Sequence, residues 1–173
     1  MTTDIVALVS WVITAGFGIS LFVTWLARGG LTQHPRGRWF TVNLPPPYFP
    51  APLVFSHALL ATGGLGVWIA HLLLHSLVAA WIALFMLLPV AVFGFSMFGR
   101  WLGSRRLRAG ALSLPPRTSS IPDLGRPRLL PRSLILAESR LPALLVACHG
   151  VFGATTIVLV LAAATGIVER LTT

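Results

Sequence analysis

The chain has 173 residues, of which 55% are hydrophobic and only 10% are charged, whereas a soluble domain carries about a quarter charged residues. Its formal net charge is +9, but the thirteen basic residues are all arginine and mostly stand between long apolar segments, which excludes nucleic-acid binding in favour of a membrane protein. The single cysteine, Cys148, excludes an intrachain disulfide and is predicted to be a small buried apolar residue.

Four apolar segments approach or exceed the roughly 20 residues that a helix needs to cross the hydrocarbon core. Backbone amides within the hydrocarbon must pair internally, so these segments are predicted to be helices. We therefore expect an all-α fold, a four-transmembrane-helix bundle that forms a single membrane domain over residues 1–173. The predicted spans are about 5–27, 52–74, 77–101 and 141–168.

The arginines predict the orientation of these spans. Twelve of the thirteen lie within residues 28–51 or 100–140, which a four-span chain places on one side of the membrane. The positive-inside rule then predicts two Arg-rich cytoplasmic loops, about 28–51 and 102–140, with both termini outside a bacterial cytoplasmic (inner) membrane. The second loop is expected either to bind anionic headgroups or a partner, or to be a partly disordered, solvated segment. Its candidate lipid- or partner-binding residues are Arg105, Arg106, Arg108, Arg126 and Arg128.

Two histidines lie inside the predicted spans, where an ionisable side chain is costly and indicates function. His57 stands about five residues into the second span and His149 about eight residues into the fourth. Both spans run in the same direction, so the two rings are expected at similar depth, roughly 8–12 Å from the inner end. Each histidine begins a helix stripe whose first members are small, including Gly64 in one case and Gly153 in the other.

A groove of small residues beside two imidazoles is what a flat macrocycle between helices requires, and haem iron accepts axial imidazole ligands. His57 and His149 are therefore candidate ligands of a b-type haem or another tetrapyrrole. Two alternatives remain open: hydrogen bonds that join helices, and a quinone or proton-relay site. His71 and His75 are expected at the outer interface, and Ala163, the counterpart of His71, provides no second histidine pair.

The two histidine segments look alike, which indicates either a duplicated two-helix hairpin or chance similarity in apolar sequence. With the opening span, they resemble uncharacterised small four-span bacterial integral membrane proteins with a histidine near the start of spans two and four. The resemblance implies a four-helix inner-membrane fold and brings no activity with it. It covers residues 11–18, 25–28, 55–65 and 149–160, including Phe55-Ser56-His57-Ala58 and His149-Gly150-Val151-Phe152.

The distribution of acidic residues argues against a stand-alone enzyme. The four acids all lie outside the predicted spans, and no nucleophile with its base or pair of carboxylates is apparent. The sequence instead predicts a small accessory or scaffold subunit of a larger membrane complex, such as a respiratory or photosynthetic one. A haem-binding electron-transfer module is the sharper alternative. The expected partners are anionic lipids and other membrane subunits, without nucleic acid.

Overall fold

The computed structural model describes residues 2–31, 49–113 and 140–166. These residues form four α-helices and contain no strand, which confirms the all-helical prediction. The helices are α1 (Thr2–Ala27), α2 (Ala51–Leu74), α3 (Leu77–Ser113) and α4 (Ala143–Thr165).

All four helices are long and apolar enough to cross a membrane. Most of each apolar window faces outward, as lipid-facing helices require, because the surrounding acyl chains solvate apolar side chains. The prediction of a four-helix, multi-pass membrane protein is therefore confirmed. The sidedness of the termini and the bacterial inner membrane stay predictions.

The helices pair unequally around the bundle. α2 packs mainly along α3, and α1 packs mainly along α4, whereas the contacts between α1 and α2 and between α3 and α4 are fewer. The pairs α1 with α3 and α2 with α4 make the fewest contacts and are therefore the diagonals. The two helices that carry the candidate histidines thus stand opposite each other across the bundle.

One end of the bundle, here called the turn end, is closed by the short connection between α2 and α3. His75 ends α2 in the left-handed conformation, with φ of 52°. The imidazole Nδ1 of His71 donates to the carbonyl of Ser76 at 2.9 Å, and its Nε2 lies 3.9 Å from a carboxylate oxygen of Asp4. Trp68 Nε1 also donates to the Asp4 carbonyl at 3.3 Å. His71 therefore joins the α2–α3 turn to the start of α1.

The opposite end, here called the loop end, is where α1 ends and where α2 and α4 begin. Its core is a group of side chains that we call the loop-end cluster, all of them at most 9% exposed. Its two largest members are tryptophans, which pack between the helix ends. The members of the loop-end cluster are Trp25, Phe49, Val54, Trp101 and Leu141.

Helix α3 continues well past residue 101, the end of the predicted span. It ends at Ser113 and has 37 residues, a length of about 55 Å at 1.5 Å per residue, compared with a hydrocarbon core of about 30 Å. Hydropathy marks only the part of a helix that lies in lipid, so the polar extension was assigned to a loop. Arg105 lies over the Trp101 ring at 5.1 Å, and both Arg105 and Arg106 are exposed.

The extension changes the setting of three of the five arginines proposed as lipid or partner ligands. Arg105, Arg106 and Arg108 lie on α3 instead of in a loop. Arg126 and Arg128 lie outside the described residues, as does most of each predicted arginine-rich loop.

Candidate functional site

The structure brings the rings of His57 on α2 and His149 on α4 into edge-to-face contact across the bundle. Their ring centroids lie 6.1 Å apart, and the ring planes are inclined by 63°. Both rings are only partly exposed. The expectation that the two imidazoles lie at similar depth agrees with this geometry, although α2 and α4 are diagonal to each other in the bundle.

His149 is oriented by helix α1. Its Nδ1 lies 3.0 Å from the carbonyl oxygen of Thr14. Its ring covers Gly18, one helical turn further along α1, so closely that a Cβ atom at that position would stand 3.0 Å from the ring carbon Cε1. Gly18 is therefore the residue that lets this imidazole lie against the backbone of α1.

His57 is oriented in the same way by helix α3. Its Nδ1 lies 3.0 Å from the carbonyl oxygen of Val90. Its ring covers Gly94, four residues further along α3, where a Cβ atom would stand 3.4 Å from Cε1. Each histidine thus combines one backbone carbonyl with one glycine from the helix against which its own helix packs most closely.

These hydrogen bonds fix the tautomer of both rings. A carbonyl oxygen only accepts hydrogen bonds, so each Nδ1 must carry the proton and donate it. In a neutral imidazole the other nitrogen, Nε2, then keeps its lone pair. These bonds join α2 to α3 and α4 to α1, which is the helix-joining alternative. A ring held through Nδ1–H with Nε2 unprotonated is also the arrangement found in metal-bound histidine.

The separation of the ring centroids is compatible with a metal ion shared by the two imidazoles. Two imidazoles that share one metal ion through Nε2, with metal–nitrogen bonds of about 2.0–2.1 Å, have centroids about 6 Å apart. A direct hydrogen bond between the ring nitrogens, about 2.9 Å long, would bring the centroids roughly 1 Å closer than observed. Within the described part of the chain, no hydrogen bond joins the two rings.

The two glycines predicted to line a cofactor groove have different surroundings. A Cβ atom at Gly64 would stand 3.1 Å from the Trp11 ring and 3.5 Å from Cβ of Met86, so this glycine makes room for a tryptophan. A Cβ atom at Gly153 would stand 3.7 Å from Cγ2 of Thr14, an ordinary contact. Gly153 lies one turn beyond His149 and is therefore the nearer of the two to the histidine pair.

One buried polar atom near this region lacks a partner. Nε1 of Trp101 has no hydrogen-bond acceptor among the described residues, although the side chain is only 7% exposed. Trp101 stands seven residues beyond Gly94 on α3, a rise of about 10 Å toward the loop end. A buried N–H donor without an acceptor is costly, so this atom is a candidate contact for an acidic group of a ligand.

The sequence did not identify several of these positions. Thr14 and Val90 contribute main-chain oxygens, which no residue pattern reveals. Gly94 and the indole of Trp101 were not singled out. Both sides share one pattern: a glycine follows, four residues later, the residue whose carbonyl binds the histidine. This pattern can be recognised only when it is known which helix packs against which.

Other candidate ligands stay apart from the pair. The described residues contain no group of three or more His, Cys, Asp or Glu side chains placed to hold a metal ion. His71 lies at the turn end, where it binds the Ser76 carbonyl. Cys148 is partly exposed beside His149.

Comparison with protein-family models, with curated proteins and with solved structures finds no match to this chain. The resemblance to small four-span bacterial membrane proteins therefore remains a prediction, supported only to the extent that four apolar helices form a small membrane protein.

Proposed function

We propose that the chain is a membrane electron-transfer module in which Nε2 of His57 and Nε2 of His149 bind the iron of a b-type haem or a related tetrapyrrole. The observation that carries this proposal is the pair of rings 6.1 Å apart, each anchored through Nδ1 to a backbone carbonyl. Two rigidly held imidazoles with free lone pairs suit axial ligation.

The number of protein ligands favours a tetrapyrrole over a bare metal ion. A structural zinc ion is held by four protein side chains, and a catalytic one by three. The pair would supply two nitrogen ligands, and a tetrapyrrole would supply the remaining ligands of its iron. The buried Trp101 N–H would be a donor for an acidic group of such a ligand.

The same chain suits the role of an accessory subunit in a larger membrane complex. The observation that favours this role is the extension of α3 beyond the span, which presents the exposed Arg105 and Arg106. A basic helix at the membrane surface binds anionic headgroups or an acidic partner protein. The two roles are compatible, because a cofactor-bearing module transfers electrons to a partner.

An absorption spectrum of the gently purified full chain tests the proposal, recorded in the oxidised state and after dithionite reduction. We expect a Soret band that sharpens on reduction in the natural chain and is lost in His57→Ala and His149→Ala. In His57→Gly, added imidazole is expected to restore part of the band, because the free ring can occupy the vacated ligand position.

The matched control is His71→Ala, which removes a histidine that also binds a carbonyl but lies at the turn end. This variant should keep the full band. A visible region without bands in natural protein from haem-supplemented cells, or equal loss of the band in all three alanine variants, would contradict the proposal.

A further inference from the structure

One twelve-residue pattern occurs in both α1 and α3. Starting at Ala15 and again at Ala91, the chain reads Ala-x-Phe-Gly-x-Ser-x-Phe-x-x-Trp-Leu, so seven of twelve positions are identical. Apolar helices share Leu, Ala and Val by chance, but a shared serine and tryptophan at fixed spacing are not explained by apolar composition. Both occurrences lead toward the loop end of the bundle.

A second pattern occurs in both α2 and α4. The chain reads Pro-Ala-x-Leu-Val-x-x-His up to His57 and again up to His149. The two prolines, Pro50 and Pro142, are the N-caps of their helices and have nearly the same backbone conformation, with φ of −62° in both and ψ of 130° and 127°. Each histidine therefore stands at the same position relative to the start of its helix.

The two patterns follow each other in the same order in both halves of the chain. The repeated unit is therefore a helix, a loop and a second helix. The first pattern recurs after 76 residues and the second after 92, so the stretch between the two patterns is 16 residues longer in the second half, and part of it is the extension of α3. We call α1 with α2 the first hairpin, and α3 with α4 the second hairpin.

The contacts of the two histidines are equivalent under this repeat. The shift of 76 residues that aligns α1 with α3 carries Thr14 onto Val90 and Gly18 onto Gly94. These are the carbonyls and glycines that His149 and His57 contact, with hydrogen bonds of 3.0 Å in both cases. The contact geometry around the histidines therefore follows the sequence repeat.

Each hairpin uses the other to complete this arrangement. His57, in the first hairpin, binds a carbonyl of α3, which belongs to the second hairpin. His149, in the second hairpin, binds a carbonyl of α1, which belongs to the first hairpin. The closest helix pairs, α2 with α3 and α1 with α4, likewise join different hairpins. Such reciprocal contacts are those of a two-fold symmetric dimer.

The equivalence is strongest around the histidines. Trp25 and Trp101 occupy equivalent positions in the loop-end cluster, as do Phe49 and Leu141. Toward the turn end the halves differ: the hydrogen bond between Ser10 and Thr156 has no counterpart, because their equivalents are Met86 and Gly64.

We infer that the chain is a tandem duplication of a two-helix membrane hairpin, folded as an internal dimer whose pseudo-two-fold axis passes between His57 and His149. A ligand on that axis has the same groups on both of its sides: an imidazole Nε2, a backbone carbonyl that anchors the ring, and a glycine that the ring covers. The site therefore selects a ligand with two equivalent faces, as a metal in a planar macrocycle has. This statement about the ligand rests on the proposed function, whereas the duplication does not.

A segment exchange within the full chain tests the duplication without reference to any ligand. Residues 15–26 and 91–102 change places, which leaves the composition unaltered. Five positions differ between the segments, and at three of them the side chain is exposed in both helices. The exchanged chain is expected to unfold within a few degrees of the natural chain.

The matched control exchanges residues 9–14 with 85–90, which brings a proline into α1 and separates Ser10 from Thr156. This exchange should lower the unfolding temperature much more.

Cysteine cross-linking between positions 14 and 153, in a Cys148→Ser background, reports whether α1 still packs on α4. Equal destabilisation by the two exchanges, or loss of this cross-link in the first, would overturn the duplication.

The spectrum of the first exchanged chain separates the two proposals. A retained fold with a retained Soret band supports both the duplication and the two-faced ligand. A retained fold in a protein that never shows a band supports the duplication and contradicts the proposed function. A band in the natural chain that disappears from a well-folded exchanged chain contradicts the equivalence of the two sides.

Discussion

At the scale of single residues, the site is defined by close approach between imidazoles and helix backbones. His149 and His57 each lie against a glycine, but the clearance is 3.0 Å at Gly18 and 3.4 Å at Gly94. Contacts between carbon atoms nearer than about 3.5 Å are repulsive. The two sides of the pair therefore differ in how much a single methyl group would disturb them.

This difference gives a paired prediction for Gly18→Ala and Gly94→Ala. Both changes raise helix propensity equally, so their difference reports the contact with the ring. Gly18→Ala should displace the His149 imidazole and weaken retention of the ligand about tenfold, which corresponds to about 1.4 kcal/mol. Gly94→Ala should have a smaller effect.

Titration of haem into each purified variant measures these affinities, and the unfolding temperature serves as a control for the fold. An equal loss of affinity in both variants, or a larger loss in Gly94→Ala, would show that the ring contacts do not set the affinity.

A second residue-scale prediction concerns the polar contact between α1 and α4. Thr156 is 1% exposed, and its hydroxyl lies 2.9 Å from that of Ser10. Thr156→Val should destabilise the fold by about 1 kcal/mol, a typical magnitude for an interhelical hydrogen bond in a membrane. Thr155→Val is the matched control, because the exposed Thr155 hydroxyl bonds only to the Val151 carbonyl of its own helix. Unfolding in mixed detergent micelles measures both, and indistinguishable values would refute a stabilising role for the Ser10–Thr156 contact.

At the scale of elements, α3 combines a membrane span with an extension that ends at Ser113. The extension presents Arg105 and Arg106 to the surroundings, and Arg105 stacks on the Trp101 ring. Stacking of a guanidinium on an indole holds its charge near the membrane surface. Helix α3 therefore connects the loop-end cluster to the basic surface formed by Arg105 and Arg106.

The charge of this extension predicts lipid preference. A basic residue near an anionic surface contributes about 1 kcal/mol to attraction, so Arg105→Gln with Arg106→Gln should reduce co-purification of anionic phospholipid severalfold. Mass spectrometry of lipid retained by the detergent-purified protein measures this. The control is Arg28→Gln, which removes one charge elsewhere at the same end of the bundle. An unchanged lipid content in the double variant would instead favour an acidic protein partner.

At the scale of the whole molecule, the arrangement of arginines predicts how the bundle sits in a cell membrane. The described arginines stand at the loop end, and the turn end carries Asp4 and the Ser76 turn. The positive-inside rule then places the loop end in the cytoplasm.

Cysteine labelling in intact cells tests this orientation. In a Cys148→Ser background, Ser76→Cys should react with a membrane-impermeant maleimide added outside. Ser119→Cys, in the second predicted loop, should react only after the cells are opened. The reverse pattern would mean that the arginines do not determine the topology.

The number, position and length of the membrane spans followed from the sequence, because hydropathy and obligatory backbone pairing act locally along the chain. The predicted spans agree with the helices to within a few residues, except where α3 leaves the lipid and its hydropathy falls. The similar depth of His57 and His149 also followed, since it depends only on helix rise and direction.

Only the tertiary structure decided which helices are neighbours, and the site depends on that choice. The carbonyls of Thr14 and Val90 and the clearance at Gly18 and Gly94 are properties of helix pairs that are distant in sequence. The same holds for Gly64, which the sequence assigned to a cofactor groove and the fold places against Trp11. Small residues permit the close approach of a neighbouring helix but do not specify which side chain lies against them. The sequence therefore indicated the two histidines, and the packing of the helices determined the residues that they contact.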